Sequence, residues 1–157
     1  MATQNYIGIR NGLVVCIDRY SGRDLSGRFY HGYSEEGFGF KSFDHMLEQC
    51  QSFFDELRFP FAGNSERSFM DIETVYQRPV ERERLMRDDE LLEKRGDLGT
   101  FIIRVQHRQN SSWQGRITWM EEDKSLNFRS VWEMMKLIDS AMKQYAPDEE
   151  EEETPNW

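Results

Sequence analysis

Two segments of this chain match each other when the second is shifted by 88 positions. The identical pairs are Gly27 and Gly115, Arg28 and Arg116, Phe40 and Phe128, Ser42 and Ser130, Met46 and Met134, and Ser52 and Ser140. In each segment, strand-like residues precede a capping serine and apolar residues at the spacing i, i+3, i+4, i+7, which is typical of an amphipathic helix. Because two copies are too few for a solenoid, the match predicts one compact α+β unit made of two βββα copies, arranged either in one sheet or packed helix to helix.

The first copy is predicted to begin with a β-hairpin over residues 6–20, in which Asn11-Gly12 supplies the two-residue turn. Strand residues follow at 28–33 and 38–40. Ser42 then predicts the start of a helix that Pro60 ends. The apolar stripe of this helix consists of Phe43, Met46, Leu47, Cys50, Phe53, Phe54 and Leu57.

The second copy repeats this order. Strands are predicted over 101–108, 113–122 and 125–128, with turns between them. Ser130 and Glu133 form a capping box at the start of the second helix. Its apolar stripe consists of Val131, Met134, Met135, Ile138, Ala141, Met142 and Tyr145.

Together these patterns predict an α+β fold in which an antiparallel sheet packs on amphipathic helices. The predicted segments are the first βββα copy at 1–63, a charged connector with a short helix at 64–98, the second copy at 99–146, and a disordered acidic tail at 147–157.

The net charge of −9 argues against a generic nucleic-acid coat protein, but it is unevenly distributed. Six of the acidic residues lie in the tail, whereas residues 99–146 contain seven basic and five acidic residues. Net acidity therefore does not exclude nucleic acid as a partner of the second copy.

Several function classes have no support in the sequence. No apolar run approaches the length of a membrane span, and the first residues have no signal-peptide pattern, so we expect a cytoplasmic protein with no membrane contact. Cys16 and Cys50 fit apolar patterns and are expected to pack in the core. No metal-ligand spacing, phosphate loop or nucleophile motif is present. We therefore predict no enzyme activity, no catalytic residue, no metal and no cofactor.

The most distinctive candidate site is one face of the second sheet. Strand alternation places Arg104, Gln106 and Arg108 on the face opposite the core. Arg116 and Thr118 of the next strand join them. This set is either a solvated sheet face or a recognition surface, since Arg and Gln both make bidentate contacts.

A second candidate surface lies on the second helix. Trp132 and Leu137 lie beside its main stripe and widen its apolar face. They either pack between the two copies or form an interface with a partner protein or a second copy of the chain.

The second copy resembles a known DNA-binding module. The segment 112–119 (SWQGRITW), followed by 128–130 (FRS) and a helix, is similar to the sheet-plus-helix pattern of arm-type integrase DNA-binding domains. In that family the exposed sheet face enters the major groove, which implies nucleic-acid binding by the Arg-rich face.

A split motif resembles the signature of PilZ domains. It consists of Arg78 and Arg82 followed by Asn110, Ser112 and Gly115. This resemblance implies that cyclic di-GMP is a ligand, with the arginines holding its guanines and phosphates.

The chain as a whole resembles a family of small proteins from Clostridia-type bacteria. The shared segments are Arg108–Gly115 (RQNSSWQG), Phe128–Ser130 (FRS) and Leu137–Ala141 (LIDSA). This resemblance implies no particular activity.

The sequence thus predicts a non-enzymatic cytoplasmic binding or regulatory protein that acts through a protein partner. The alternative is a nucleic-acid binder that uses the Arg-rich sheet face and is modulated by the acidic tail. A cyclic di-GMP sensor is the third hypothesis.

Overall fold

The computed structural model describes residues 12–21, 24–61, 69, 78–109 and 112–144. Its elements, in chain order, are β1 (Gly12–Ser21), β2 (Asp24–Tyr30), β3 (Phe38–Phe40), α1 (Phe43–Leu57), α2 (Asp88–Leu92), β4 (Gly99–His107), β5 (Gln114–Trp119), β6 (Lys124–Phe128) and α3 (Val131–Met142). The predicted first hairpin strand at 6–10 and the acidic tail at 147–157 lie outside the described residues, as does Asn110.

The six strands form one antiparallel sheet in the order β3-β2-β1-β4-β5-β6. The central pair joins β1 to β4, with Val14 opposite Ile102. This confirms the predicted α+β class with an antiparallel sheet. The sequence predicted a loop over 21–27, but β2 already begins at Asp24.

Both long helices begin at the predicted serines. Ser42 and Ser130 have extended backbones, with φ of −155° at each, and each side chain accepts a hydrogen bond from the backbone N–H three residues later. The first helix ends at Leu57, where Arg58 adopts a left-handed conformation with a φ of 55°. The N-cap and helix predictions are therefore confirmed for the described residues, whereas the Glu133 carboxylate of the predicted capping box pairs with Arg129.

The main core lies between the two long helices and one face of the sheet. Its largest fully buried side chains on this side are Phe29, Phe54, Phe101, Phe128, Leu13, Ile17, Met46, Leu57 and Ile103. Most stripe residues of each helix are buried here, whereas Leu47, Val131 and Met135 are half-buried and Tyr145 lies outside the described residues. This burial removes apolar surface from water and stabilises the fold. We call this side the helix face, and the opposite side the outer face.

The pairing register is the same in the two halves of the sheet. Equivalent pairs are Ile17–Gly27 and Val105–Gly115, Arg19–Ser26 and His107–Gln114, and Gly27–Phe40 and Gly115–Phe128. Each half also has a register shift after the first of these pairs. Each residue of a pair in the first half lies 88 positions before its counterpart in the second half, which is the offset that aligns the two sequence segments.

Gly27 and Gly115 have the same packing reason to be glycine. A Cβ at Gly27 would overlap the carbonyl oxygen of Cys16, and a Cβ at Gly115 would overlap that of Arg104. A side chain at either position would therefore push neighbouring strands apart.

The connector covers part of the outer face. The charged composition of residues 74–87 predicts an exposed arm, followed by a short helix over 88–96, and α2 lies within the range of that helix. Met86 and Leu91 are nevertheless buried, because they form a second apolar cluster with Val14, Cys16 and Ile102. The expectation of an exposed arm applied to residues 74–87 and is wrong for Met86; the burial of Leu91 was not predicted.

No helix within the described ranges is long and apolar enough to cross a membrane.

Candidate binding surfaces

The outer face carries two arginines that face each other across neighbouring strands. Arg104 of β4 pairs with Arg116 of β5. Arg116 is exposed, whereas Arg104 is half-buried, and its Nε atom is buried without a hydrogen-bond partner. Like charges directly opposite each other in an antiparallel sheet repel. Neither arginine forms an ion pair with a carboxylate in the part of the chain that the structure describes.

The equivalent arginine of the first half has several partners. Arg28, 88 positions before Arg116, forms an ion pair with Asp18 and donates to the Tyr30 hydroxyl at 2.7 Å and to the Arg95 carbonyl at 2.8 Å. The hydrogen bond to Asp18 is the main reason that the pKa of Arg28 is raised, although burial opposes it.

The second half lacks the corresponding partners. Gln106 occupies the position equivalent to Asp18, and Thr118 the position equivalent to Tyr30. Gln106 is exposed, and the cross-strand neighbour of Arg116 on β6 is Asn127, which is also exposed. The outer face of β4, β5 and β6 therefore presents two cations and two amides without a described counter-ion. We call Arg104, Gln106, Arg116 and Asn127 the arginine surface.

Arg108 does not belong to this surface, so its predicted placement is wrong. The register shift between Val105 and His107 adds a residue to β4 and turns Arg108 to the helix face. Its side chain is only 5% exposed. It donates to Asp55 at 2.7 Å and to the Pro60 carbonyl at 2.6 Å. Arg108 thus ties the second half of the sheet to α1.

Thr118 lies on the predicted outer face but is not available to a partner. It is 7% exposed, and its hydroxyl lies 2.8 Å from the Ser125 hydroxyl. Thr118 therefore contributes a cross-strand contact between β5 and β6. The expectation that its side chain is accessible on the candidate surface is wrong.

Trp132 and Leu137 border two different grooves of α3. Trp132 is 61% exposed and borders a groove of about 530 Å³. We call this the α3 groove, which is lined by Tyr20, Leu25, Phe43, Trp132, Met135, Lys136, Ile138 and Asp139. Leu137 is half-buried beside a smaller groove of about 230 Å³, next to Leu126 of the edge strand β6. The structure thus does not combine these two residues into one surface.

The α3 groove contains polar groups that the sequence analysis did not single out. The Tyr20 hydroxyl donates to the Asp139 carboxylate. Burial and this hydrogen bond raise the pKa of Tyr20 to about 12. No local sequence signal predicts this contact, because Tyr20 and Asp139 are 119 positions apart and come together only in the folded chain.

The residues of the PilZ-like motif do not contact one another among the described residues. Arg82 pairs with Glu56 at 3.9 Å and lies over the Tyr33 ring. Ser112 instead accepts a hydrogen bond from the backbone N–H of Val131 at 2.9 Å.

The two cysteines are buried thiols with raised pKa values. Burial raises the pKa of the Cys16 thiol to about 11 and also raises the pKa of Cys50. No group of three or more His, Cys, Asp or Glu side chains suited to a metal ion occurs within the ranges described above.

Comparison with known proteins adds no assignment, since no protein-family model, curated protein or solved structure matches this chain.

Proposed function

We propose that this chain is a non-enzymatic binding or regulatory protein of the cytoplasm that acts through a protein partner. The partner presents an acidic, extended segment to the arginine surface. One observation carries this proposal: among the described residues, Arg104 and Arg116 face each other without a counter-ion, whereas the equivalent Arg28 has three partners. A carboxylate between the two guanidinium groups relieves their repulsion and forms charge-assisted hydrogen bonds.

The first half indicates why the ligand is a polypeptide. There, Arg28 is bonded by a carboxylate of β1 and by a backbone carbonyl of the connector, which lies on the outer face. These are the two kinds of acceptor that an acidic peptide brings. The edge strand β6 adjoins the arginine surface and has no described strand on its other side, so an extended segment can also pair with its backbone.

The proposal includes the finer architecture. We infer that residues 1–63 and 99–146 are two copies of one βββα unit, joined by the connector 64–98. The shared register, the paired register shifts and the equivalent glycines support this relation. In this proposal the connector covers the outer face at Val14, Cys16 and Ile102, and the arginine surface of the second copy binds the partner.

Nucleic acid is the second candidate for the same surface. The guanidinium groups of Arg104 and Arg116 and the amides of Gln106 and Asn127 form a row on a sheet face, a combination that suits phosphates and base edges. In this alternative the acidic tail competes with nucleic acid for the arginines. The net charge of −9 weakens long-range attraction to nucleic acid and favours the peptide.

The experiment compares two probes on the full chain at low salt. One is a fluorescent ten-residue peptide of alternating Glu and Val, and the other is a 20-base-pair DNA duplex. We expect the peptide to bind, and the double variant R104A/R116A to weaken it by about tenfold or more. R129A is the matched control, because Arg129 is an exposed arginine that pairs only with Glu133 at 3.4 Å.

Three outcomes decide between the candidates. Peptide binding that depends on Arg104 and Arg116 supports the proposal. Duplex binding with a steep salt dependence, strengthened when residues 148–157 are deleted, supports nucleic acid instead. Binding of neither probe, with or without the tail, overturns both.

A further inference from the structure

The α3 groove has a counterpart in the other half of the molecule that is filled by a tryptophan. Trp113 is 5% exposed on the helix face, and its indole Nε1 donates to Gln51 of α1 at 3.0 Å. Its ring also packs edge-on against Phe54, with 5.2 Å between the ring centroids. An indole therefore forms part of the contact between α1 and the second half of the sheet.

Two residues of the α3 groove are equivalent, at the 88-position offset, to the two residues of the Trp113–Gln51 hydrogen bond. Leu25 lies at the position equivalent to Trp113, and Asp139 lies at the position equivalent to Gln51. Both line the groove. Leucine has a much smaller side chain than tryptophan. Leu25 therefore leaves open in the α3 groove the space that the Trp113 ring occupies at the equivalent contact with α1. The groove does keep an acceptor, the Asp139 carboxylate, in place of the Gln51 amide oxygen.

We propose that the α3 groove is a binding site for a small, flat aromatic molecule that carries an N–H donor, with indole as the simplest example. Its size, about 530 Å³, is within the usual range for a small-molecule site. Leu25, Phe43 and Ile138 provide apolar walls, and the exposed Trp132 ring provides a stacking surface at the mouth.

Asp139 gives the site its polar specificity. One carboxylate oxygen accepts from Tyr20, and the other lies 3.2 Å from the Lys143 ammonium group. A carboxylate has about four acceptor positions, so these contacts leave room for a further N–H donor. Lys136 lies over the Trp132 ring, 5.2 Å from its centroid, and places a positive charge at the rim.

The test measures indole binding to the full chain by calorimetry. We expect one site per chain, and we expect indene, which has the same shape without the N–H group, to bind about five- to tenfold more weakly. L25W places an indole ring at the position equivalent to Trp113, where it fills the α3 groove. We expect it to weaken indole binding at least about tenfold. M135W fills the groove from α3 and tests the same point if L25W does not fold.

The control and the contrary outcomes are specific. E48W adds an exposed tryptophan to α1, at the position equivalent to Lys136, and is expected to leave indole binding unchanged. Absence of indole binding at millimolar concentration overturns the proposal. The proposal is also overturned if L25W and M135W bind indole as tightly as the unsubstituted chain does. Tighter binding of N-acetyltryptophanamide than of indole also overturns it, because the ligand is then a tryptophan of a polypeptide.

Discussion

At the scale of single residues, Arg108 has a different role from its neighbours in the sequence. Its guanidinium group is buried and connects Asp55 to the carbonyl of Pro60, and it lies over the Phe54 ring with its central carbon 5.7 Å from the centroid. Arg104, four residues earlier, has no described partner. The same residue type therefore forms a buried contact at one position and has no described side-chain partner at the other.

Replacing Arg108 should accordingly cost more than replacing Arg104. We expect R108M to lower the free energy of unfolding by about 2–3 kcal/mol, because the Pro60 carbonyl loses a charged donor in a buried site. R104M is expected to change it by less than about 0.5 kcal/mol. Urea unfolding of both variants measures the difference, and equal losses would show that Arg108 is not a structural contact.

His31 is a second residue with a defined energetic role. It is 4% exposed, stacks on Phe53 with 3.9 Å between the ring centroids, and accepts a hydrogen bond from the Tyr33 backbone N–H. Burial, with a smaller contribution from Arg82, lowers its pKa to about 4 from an ordinary value near 6.5. The folded state therefore keeps His31 neutral at a pH where the unfolded state binds a proton.

This difference predicts a loss of stability in acid. The contribution of His31 is fully present above pH 6.5 and is lost as the pH falls towards 4, because the unfolded state takes up the proton first. We expect about 2–3 kcal/mol to be lost between pH 7.5 and 4.5 from this group. H31F removes the titration, so its unfolding free energy should fall less over that range. Parallel curves for the two proteins would contradict the assignment.

At the scale of secondary structure, the sequence predicts helices better than surfaces. Ser42 and Ser130 precede apolar stripes, and these local signals are sufficient to define where α1 and α3 begin. The placement of Arg108 could not be predicted, because a register shift depends on the partner strand and leaves the alternation of the sequence unchanged. The arginine surface was thus predicted in part, with Arg108 and Thr118 wrongly included as accessible residues.

The burial of Met86 and Leu91 and the presence of the α3 groove were not predicted, for a related reason. Met86 and Leu91 belong to two short apolar pairs, Leu85-Met86 and Leu91-Leu92, in an otherwise charged stretch. Two such pairs define no helical or strand period, and only the sheet below them explains the burial of Met86 and Leu91. The α3 groove combines residues from β1, β2, α1 and α3. Such long-range arrangements are set by tertiary packing and have no local sequence signal.

The equivalent glycines give a prediction for the strands. G27A and G115A should each lower the free energy of unfolding by about 2 kcal/mol or more, because the added methyl group overlaps a carbonyl of the neighbouring strand. G39A is the control, since a Cβ there lies 3.9 Å from the Gly27 carbonyl oxygen, an ordinary van der Waals contact. Thermal unfolding compares the three variants. Similar effects in all three would contradict the close approach at Gly27 and Gly115.

At the scale of the whole molecule, the two halves depend on each other. The sheet is continuous through the β1–β4 pair, and one apolar core contains residues of both long helices. Val14 and Ile102, which pair at the centre, are themselves 88 positions apart. If the halves are copies of one unit, this pair lies on an approximate twofold axis that relates them.

This arrangement predicts that an excised second half forms a dimer. In the fragment 99–146, β4 has lost β1 and leaves Phe101, Ile102 and Ile103 without a partner strand. A second copy of β4 provides the same apolar alternation, so two fragments should pair with Ile102 opposite Ile102. Size-exclusion chromatography and circular dichroism are expected to show a folded dimer, whereas I102K brings two lysines together and should give an unfolded monomer. A folded monomeric fragment would contradict both the shared core and the twofold relation, because each requires the β4 edge to be covered.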